Sequence, residues 1–251
     1  MRKKKRGSME KKMYDVIIIG AGPAGLFAAY ELITKNDKLK ILLLDKGKLA
    51  SKRMCPMNNG SSKCLNCNTC AILSGFGGAG TFSDGKLNFI PKLGKSDLFK
   101  YMSEKDAYQI IDDTEEIFNK FGMDSKVFPS NMEVAKKIQK DVTVKGARLL
   151  LIKQKHLGSD CLPDYIMSFE KYLEEKGVTL LDEASALDIT KVNENEYEVL
   201  CKSSMEETKY TASNIIVAPG RTGAKWIQEI ADKYEIPYIS QSIEIGVRVE
   251  V

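Results

Sequence analysis

Three glycines in Gly20-Ala21-Gly22-Pro23-Ala24-Gly25 have the spacing with which a polypeptide backbone can approach a phosphate group. Gly20 permits a tight turn, Gly22 lets the backbone come close to a pyrophosphate, and Gly25 lets a helix pack closely against a strand. The helix that follows would direct free backbone N–H groups and a partial positive charge at the phosphates. This segment therefore predicts a dinucleotide-binding site.

A carboxylate follows at the distance that a ribose requires. Asp45 lies 20 residues after Gly25, at the end of the apolar run 41–44, and its oxygens could accept both ribose hydroxyls. A similar run, residues 16–19, precedes the glycines. Short unbroken apolar runs are typical of parallel strands that helices cover on both faces. The order of these features predicts a β-α-β dinucleotide-binding unit, in preference to a glycine-rich turn of an unrelated α/β domain.

A later segment favours FAD over NAD, since pyrophosphate recognition is common to both. After Asn214, residues 215–217 form another apolar run that predicts a strand, and Ala218-Pro219-Gly220 follows it. The segment resembles the second motif of two-segment flavoproteins, in which a strand ends in Ala-x-Gly where the chain re-enters the FAD domain.

Four of the six cysteines fall within 16 positions, in a C-x8-C-x2-C-x2-C pattern formed by Cys55, Cys64, Cys67 and Cys70. Two C-x2-C steps allow several thiolates to converge on one iron–sulfur cluster or one zinc ion. A redox dithiol that faces the flavin is the main alternative, although the spacing usual in disulfide-reductase flavoenzymes does not occur here. Thiols without a chemical role are the third possibility.

A glycine-rich loop, residues 75–85, could bring its backbone close to the flavin or the pyrophosphate. Phe76 and Phe82 could anchor it. Among the charged residues, Arg53, Lys86 and Arg221 are candidates for phosphate or flavin contacts, with solvated charge as the alternative. The complete set of expected cofactor contacts is Gly20, Gly22, Pro23, Ala24, Gly25, Asp45, Lys46, Arg53, Gly78, Gly80, Ala218 and Gly220.

The sequence assigns no catalytic side chain. His156 is the only histidine, and its neighbours Lys153, Gln154 and Lys155 place it in a polar segment that we interpret as a loop or a strand edge. A surface or structural role suits this context better than general acid–base work.

The spacing of apolar residues predicts the helices and strands that position these residues. Helical spacing occurs over residues 103–121, 163–176 and 226–234, and alternation predicts strands at 197–201 and 243–251. We expect an α/β fold, with a Rossmann-like FAD-binding domain interrupted by a smaller α+β insert. The expected organisation is a basic tail (1–13), a first FAD-domain segment with the Cys/Gly-rich loop (14–95), the substrate-type insert (96–207), and a truncated second FAD-domain segment (208–251).

Composition and charge exclude several classes. A chain of 251 residues with 43% hydrophobic and 29% charged residues is globular, and its uncharged apolar run 16–30, 15 residues, is shorter than the ~18 of a membrane helix. The net charge of +4 arises in the first 12 residues, which carry +6, so the remainder carries −2. We therefore expect a cytoplasmic protein without a nucleic-acid surface, and we favour a solvated leader for the basic tail.

With these motifs, the chain resembles a family of FAD-dependent dehydrogenases, also described as NAD(P)/FAD-dependent oxidoreductases. The likeness rests on residues 15–26, the cysteine block, residues 75–87 and residues 245–250, and extends over nearly the whole chain from residue 14. It implies an FAD-binding oxidoreductase and assigns no substrate. Members of the family are substantially longer, so we expect an N-terminal fragment that binds FAD weakly by itself.

We therefore interpret the chain as an FAD-dependent oxidoreductase that transfers hydride or electrons to or from a small-molecule substrate or electron donor. NAD(P)H is a candidate reductant, and the cysteines are a candidate iron–sulfur or zinc site. Two alternatives stay open: a dinucleotide-binding metal or redox-sensing protein without turnover, and a flavoenzyme that acts on RNA and uses the basic tail. A bound flavin that accepts electrons would distinguish the oxidoreductase from the first alternative. An RNA-binding assay with the tail deleted would distinguish it from the second.

Overall fold

A computed structural model describes residues 13–158, 160–204 and 206–239. The strands are β1 (Met13–Ile19), β2 (Ile41–Leu44), β3 (Lys86–Phe89), β4 (Lys92–Leu93), β5 (Ser96–Asp97), β6 (Val127–Phe128), β7 (Lys153–His156), β8 (Thr179–Leu181), β9 (Ala184–Asn193), β10 (Glu196–Ser203) and β11 (Glu206–Val217). The helices are α1 (Pro23–Lys35), α2 (Glu104–Lys120), α3 (Met132–Val144), α4 (Leu162–Glu175) and α5 (Ala224–Lys233).

The main sheet has the strand order β8-β2-β1-β11-β10-β9. Strands β8, β2, β1 and β11 run parallel, and β9, β10 and β11 form an antiparallel meander at one edge. In the centre of the sheet, Ile17 pairs with Leu42 on one side and with Ile215 on the other. The predicted α/β architecture with a parallel sheet is confirmed.

Helices cover both faces of this sheet, which explains the unbroken apolar runs. On one face Ile18 and Leu43 pack with α1 and α4, where Ile33 and Phe169 are fully buried. On the other face Ile17, Leu42 and Ile230 of α5 belong to a second cluster. Because both faces of the sheet are covered at residues 16–19 and 41–44, a polar residue in either run would lose its hydration.

A small α+β unit lies between β2 and β8 in sequence, with a three-stranded sheet in the order β3-β7-β6 and helices α2 and α3. This unit is shorter than the expected insert of 96–207, because β8, β9 and β10 join the main sheet and α4 packs on its core. Helix α3 was not expected from the sequence, and its only buried residue is Ala135.

Two of the sequence-based predictions lie outside the described residues: the basic tail up to residue 12, and the alternating strand at 243–251. The helices predicted over 103–121, 163–176 and 226–234 correspond to α2, α4 and α5. None of the described helices combines the length and the apolar character needed to cross a membrane.

Candidate functional site

A cavity of about 570 Å³ opens at the carboxyl ends of β1, β2 and β11, the edge at which α/β sheets bind their ligands. Its size falls within the range usual for ligand pockets, roughly 300–1,000 Å³. Nine of the twelve expected cofactor contacts line it; the other three, Ala24, Gly25 and Arg53, do not. The nine are Gly20, Gly22, Pro23, Asp45, Lys46, Gly78, Gly80, Ala218 and Gly220.

The packing of the folded chain requires a glycine at two of the three motif positions, Gly20 and Gly25. Gly20 has a φ of +102°, and a Cβ atom there would lie 2.1 Å from the carbonyl oxygen of Ala218. A Cβ atom at Gly25 would lie 1.8 Å from the carbonyl oxygen of Gly20. Both contacts are much shorter than any real Cβ contact. These glycines therefore allow β1, β11 and α1 to approach one another, whether or not a ligand is bound.

Gly22 differs from the other two glycines. Its φ of −72° suits any residue, and the nearest heavy atom to a Cβ atom there would be the Cα of Gly78, at 3.8 Å. The fold therefore has room for a side chain at a position that lines the cavity. A glycine that the packing does not require indicates close approach by a ligand.

Helix α1 points its N-terminus at this cavity. Gly22 is the N-cap, Pro23 occupies the first turn, and no side chain caps the helix. The first N–H groups of a helix have no intrahelical partner, and together with the helix dipole they favour a negatively charged ligand. The geometry suits phosphate groups at the entrance of α1.

Asp45 accepts three backbone hydrogen bonds. Its Oδ1 accepts from Gly47 and Gly75, at 2.8 and 2.9 Å, and its Oδ2 accepts from Ala21 at 2.9 Å. A carboxylate offers about four lone-pair positions, so one acceptor position on Oδ2 remains. Asp45 lines the cavity as expected, but the structure leaves it capacity for one further hydrogen bond, not for a ribose hydroxyl on each oxygen.

Arg53 was expected to contact phosphate or flavin, and the structure corrects this expectation. The side chain is 6% exposed and lies behind the glycine-rich loop, where the guanidinium is bound to the protein itself. The acceptors, at 2.6 to 3.0 Å, are the carbonyl oxygens of Ala71, Ile72, Phe76 and Gly78 and the Oγ1 of Thr81. These contacts engage the Nε–H, both Nη1–H groups and one Nη2–H, and the side chain does not line the cavity.

Other residues of the cavity were not identified from the sequence. The beginning of β9 contributes Ala184, Ser185 and Ala186, and α5 contributes Trp226, whose indole N–H donates to the carbonyl oxygen of Leu187 at 3.0 Å. Small residues at the start of a strand give no strong signal. Trp226 has helical spacing, which indicated a core position.

Two contacts join Thr222 to earlier parts of the chain beside the cavity. The ammonium of Lys46 donates to the carbonyl oxygen of Thr222 at 3.0 Å, and the hydroxyls of Ser74 and Thr222 lie 3.3 Å apart. Arg221, which was a candidate contact, is exposed and lines the cavity. Lys86 does not line it and forms an ion pair with Asp84 at 3.1 Å.

The structure does not bring the four clustered cysteines together. Cys64 and Cys67 are exposed, and Cys55 and Cys70 are half-buried. Among the described residues, no three His, Cys, Asp or Glu side chains lie where they could hold a metal ion. The predicted cluster is therefore not formed by this geometry, since sequence spacing alone does not fix the direction of side chains in an irregular segment.

His156 is an exposed residue at the end of β7, opposite Lys86 of β3. It belongs to the small α+β unit and does not line the cavity. The expectation was a loop or a strand edge, whereas β7 is the central strand of its sheet and His156 is its last residue.

Comparisons with known proteins agree with this fold. Residues 15–53 match the family model of the FAD binding domain. The 3-ketosteroid-delta4-(5alpha)-dehydrogenase from Rhodococcus jostii RHA1 has a TM-score of 0.53 and 12% identity, with 89% of this chain and 50% of that chain covered. Glycine oxidase from Geobacillus kaustophilus has a TM-score of 0.47 and 16% identity, with 86% and 59% covered.

L-amino acid deaminase from Proteus vulgaris has a TM-score of 0.45 and 14% identity, with 86% of this chain and 49% of that chain covered. The chain thus spans about half the length of the solved structures that it matches. At identities this low, the likeness indicates a shared fold and nothing more. The comparison rests on the dehydrogenase, whose TM-score is 0.53. The chain has a Rossmann-like α/β fold whose first β-α-β unit matches an FAD-binding domain.

Proposed function

We propose that the cavity binds FAD and that the protein is an FAD-dependent oxidoreductase. The observation that carries the proposal is the position of Gly22. It lines a cavity at the carboxyl ends of parallel strands and begins α1, yet the fold does not require a glycine there. The match of residues 15–53 to the FAD binding domain supports FAD as the ligand.

The residues present fit such a cofactor. Within the glycine turn, residues 20–22, Gly20 and Gly22 line the cavity, and with Pro23 and Gly78 they would contact phosphates at the N-terminus of α1. The remaining acceptor position on Asp45 suits one ribose hydroxyl. Small residues at the start of β9 and the indole of Trp226 line the same cavity, and this lining suits an aromatic ring.

FAD, when bound, supplies a ring system that accepts or donates a hydride or electrons. The chain would bind the phosphates with the N-terminus of α1 and orient the dinucleotide between the glycine turn and β9. The loop that follows Ser74 would cover one side of the cavity and exclude water. The substrate and the electron donor, for which NAD(P)H is our candidate, belong to this proposal.

The alternatives predict different observations. A metal or redox-sensing protein without turnover would hold a metal through Cys55, Cys64, Cys67 and Cys70, which do not converge in the described structure. We therefore place the redox chemistry on the flavin and not on a thiolate cluster. An enzyme acting on RNA would depend on residues 1–12, which lie outside the described part of the chain.

Anaerobic reduction of the FAD-loaded protein tests the proposal. We expect the absorption of oxidised flavin to disappear on addition of dithionite, and to disappear with NADH or NADPH if a nicotinamide is the donor. The absorption should return with an electron acceptor. Tight binding of NAD⁺ with no binding of FAD would contradict the proposal.

A further inference from the structure

Arg53 is connected to the glycine turn through one peptide group. Its Nη1 donates to the carbonyl oxygen of Phe76 at 2.6 Å, and the N–H of Gly77 donates to the carbonyl oxygen of Ala21 at 2.8 Å. The Phe76 carbonyl and the Gly77 N–H belong to the same planar trans peptide and point in opposite directions. The orientation that Arg53 imposes on this peptide is therefore the orientation that holds the glycine turn.

A second connection passes through Gly78. The same Nη1 donates to the Gly78 carbonyl oxygen at 2.9 Å. A Cβ atom at Gly78 would lie 3.1 Å from the Cα of Gly22 and 3.3 Å from the Cδ of Pro23, so this backbone packs directly against the start of α1. Arg53 therefore holds two backbone groups that contact the glycine turn, one at Ala21 and one at Gly22. Arg53 itself does not line the cavity.

The chemistry of this position requires a guanidinium. Burial lowers the pKa of Arg53 to about 10, while the nearby carboxylates of Asp45 and Glu170 act in the opposite direction, so the group stays charged near neutral pH. Its planar fork of five N–H donors serves acceptors in several directions. A lysine ammonium has three donors at one point and cannot reach carbonyl groups as far apart as those of Ala71 and Gly78.

A buried charge of this kind needs a reason beyond stability, because a buried cation has a high desolvation cost and apolar replacements often stabilise a protein equally well. The acceptors of Arg53 lie within residues 71–81, a segment that contributes Ser74, Gly75 and Gly78 to the cavity wall. The ring of Phe82 lies 4.8 Å from the guanidinium carbon.

We propose that Arg53 is a positioning residue for the dinucleotide: through the Phe76–Gly77 peptide and Gly78, it holds the glycine turn in the shape that receives the cofactor phosphates. The inference rests on the proposed function. It assigns to Arg53 a role in affinity for FAD that is separate from its contribution to the stability of the fold.

Three variants test this role: Arg53→Lys, Arg53→Ala, and Arg148→Lys as a matched control at an exposed arginine of the small α+β unit. Each protein is freed of flavin, its unfolding is measured, and FAD is then titrated well below the melting temperature. We expect Arg53→Lys to weaken FAD binding at least about tenfold, which corresponds to about 1.4 kcal/mol. Arg148→Lys should bind FAD as the wild type does.

Chemical rescue supplies the readout that a purely structural role would not give. Ethylguanidinium at a concentration below its denaturing range should restore part of the FAD affinity of Arg53→Ala, and ethylammonium at the same concentration should not. Wild-type affinity in either folded Arg53 variant would overturn the inference, as would absence of rescue. Failure of both variants to fold would also overturn it, because Arg53 would then serve the whole fold. A wild-type protein that binds no FAD would refute the proposed function instead.

Discussion

The carboxylate of Asp45 accepts a hydrogen bond from the backbone N–H of Gly75, 30 residues later in the chain, at 2.9 Å. The same side chain binds the N–H of Ala21 in the glycine turn. On the far side of the loop, the guanidinium of Arg53 binds the carbonyl groups of Phe76 and Gly78. Two opposite charges therefore fix the glycine-rich loop from both sides and join it to the first β-α-β unit.

This arrangement predicts that Asp45→Asn destabilises the protein even without a cofactor. An asparagine has a single acceptor oxygen, so its amide NH₂ would face a backbone N–H where Asp45 now accepts one. We expect the free energy of unfolding in urea to fall by about 1–3 kcal/mol, the usual cost of leaving a buried donor unpaired. Asp37→Asn, in the exposed turn after α1, is the control. Unchanged stability of flavin-free Asp45→Asn would mean that the carboxylate is free to serve a ligand.

Substitutions at Gly20, Gly22 and Gly25 should have different effects on the stability of the flavin-free protein. Gly20→Ala and Gly25→Ala place a Cβ atom within 2.1 Å and 1.8 Å of a backbone oxygen, so each should lower the free energy of unfolding by at least about 2 kcal/mol. Gly22→Ala meets no atom closer than 3.8 Å and should change it by less than about 1 kcal/mol. Urea denaturation of the flavin-free proteins measures the difference, and equal destabilisation by all three would contradict it.

The fold could be predicted from the sequence at positions where local packing determines the residue type. Residues 16–19 and 41–44 are apolar because both faces of β1 and β2 are covered, residues 215–217 are half-buried, and this pattern predicted the parallel sheet. The tight turn at Gly20 and the close helix packing at Gly25 could likewise be predicted, because both residues are glycines. Nine cavity residues could therefore be predicted from motifs alone.

The remainder depends on contacts that leave no pattern in the sequence. The partners of Arg53 are mainly backbone carbonyl groups, which every residue possesses, so its role could not be distinguished from that of a phosphate ligand. Strand β9 reaches the cavity through small residues without an apolar signal. The cysteine spacing indicated a metal site, but the directions of Cys64 and Cys67 depend on an irregular segment that spacing does not determine.

Glu170 should make the stability of the protein depend on pH. Burial raises the pKa of Glu170 to about 7, although its Oε1 accepts a hydrogen bond from the N–H of Ala50 at 2.9 Å. In the unfolded chain the carboxyl group would titrate near 4.5. Between these values the unfolded state releases a proton that the folded state retains, so the free energy of unfolding falls as the pH rises from about 4.5 to about 7, by at most about 3 kcal/mol.

Glu170→Gln isolates this effect, because a glutamine oxygen can still accept from Ala50 and does not titrate. We expect the variant to gain stability relative to the wild type as the pH rises through that window. Glu175→Gln, on the exposed surface of the same helix, is the matched control, since Glu175 is not among the charges that act on Glu170. A difference between wild type and Glu170→Gln that does not change with pH would show that Glu170 ionises in the folded state as it does in the unfolded chain.

Thiol reactivity distinguishes free cysteines from a metal cluster. Cys64 and Cys67 are exposed and should react with iodoacetamide in the native protein without a chelator. Burial raises the pKa of Cys201 to about 12, so its thiolate is scarce and it should react only after unfolding. Mass spectrometry of labelled peptides measures each site. Protection of Cys55, Cys64, Cys67 and Cys70 until a chelator is added would restore the metal site.

Titration of the flavin-free protein with FAD tests the central claim most directly, with Gly22→Ala in parallel and NAD⁺ as competitor. Flavin fluorescence reports binding, and the unfolding measurement verifies that both proteins are folded. We predict saturable binding of one FAD per chain that NAD⁺ does not displace. Gly22→Ala should weaken it at least about tenfold because its methyl group occupies the place of the phosphates. Equal affinity of the two folded proteins, or no saturable binding by the wild type, would contradict the assignment of this cavity to FAD.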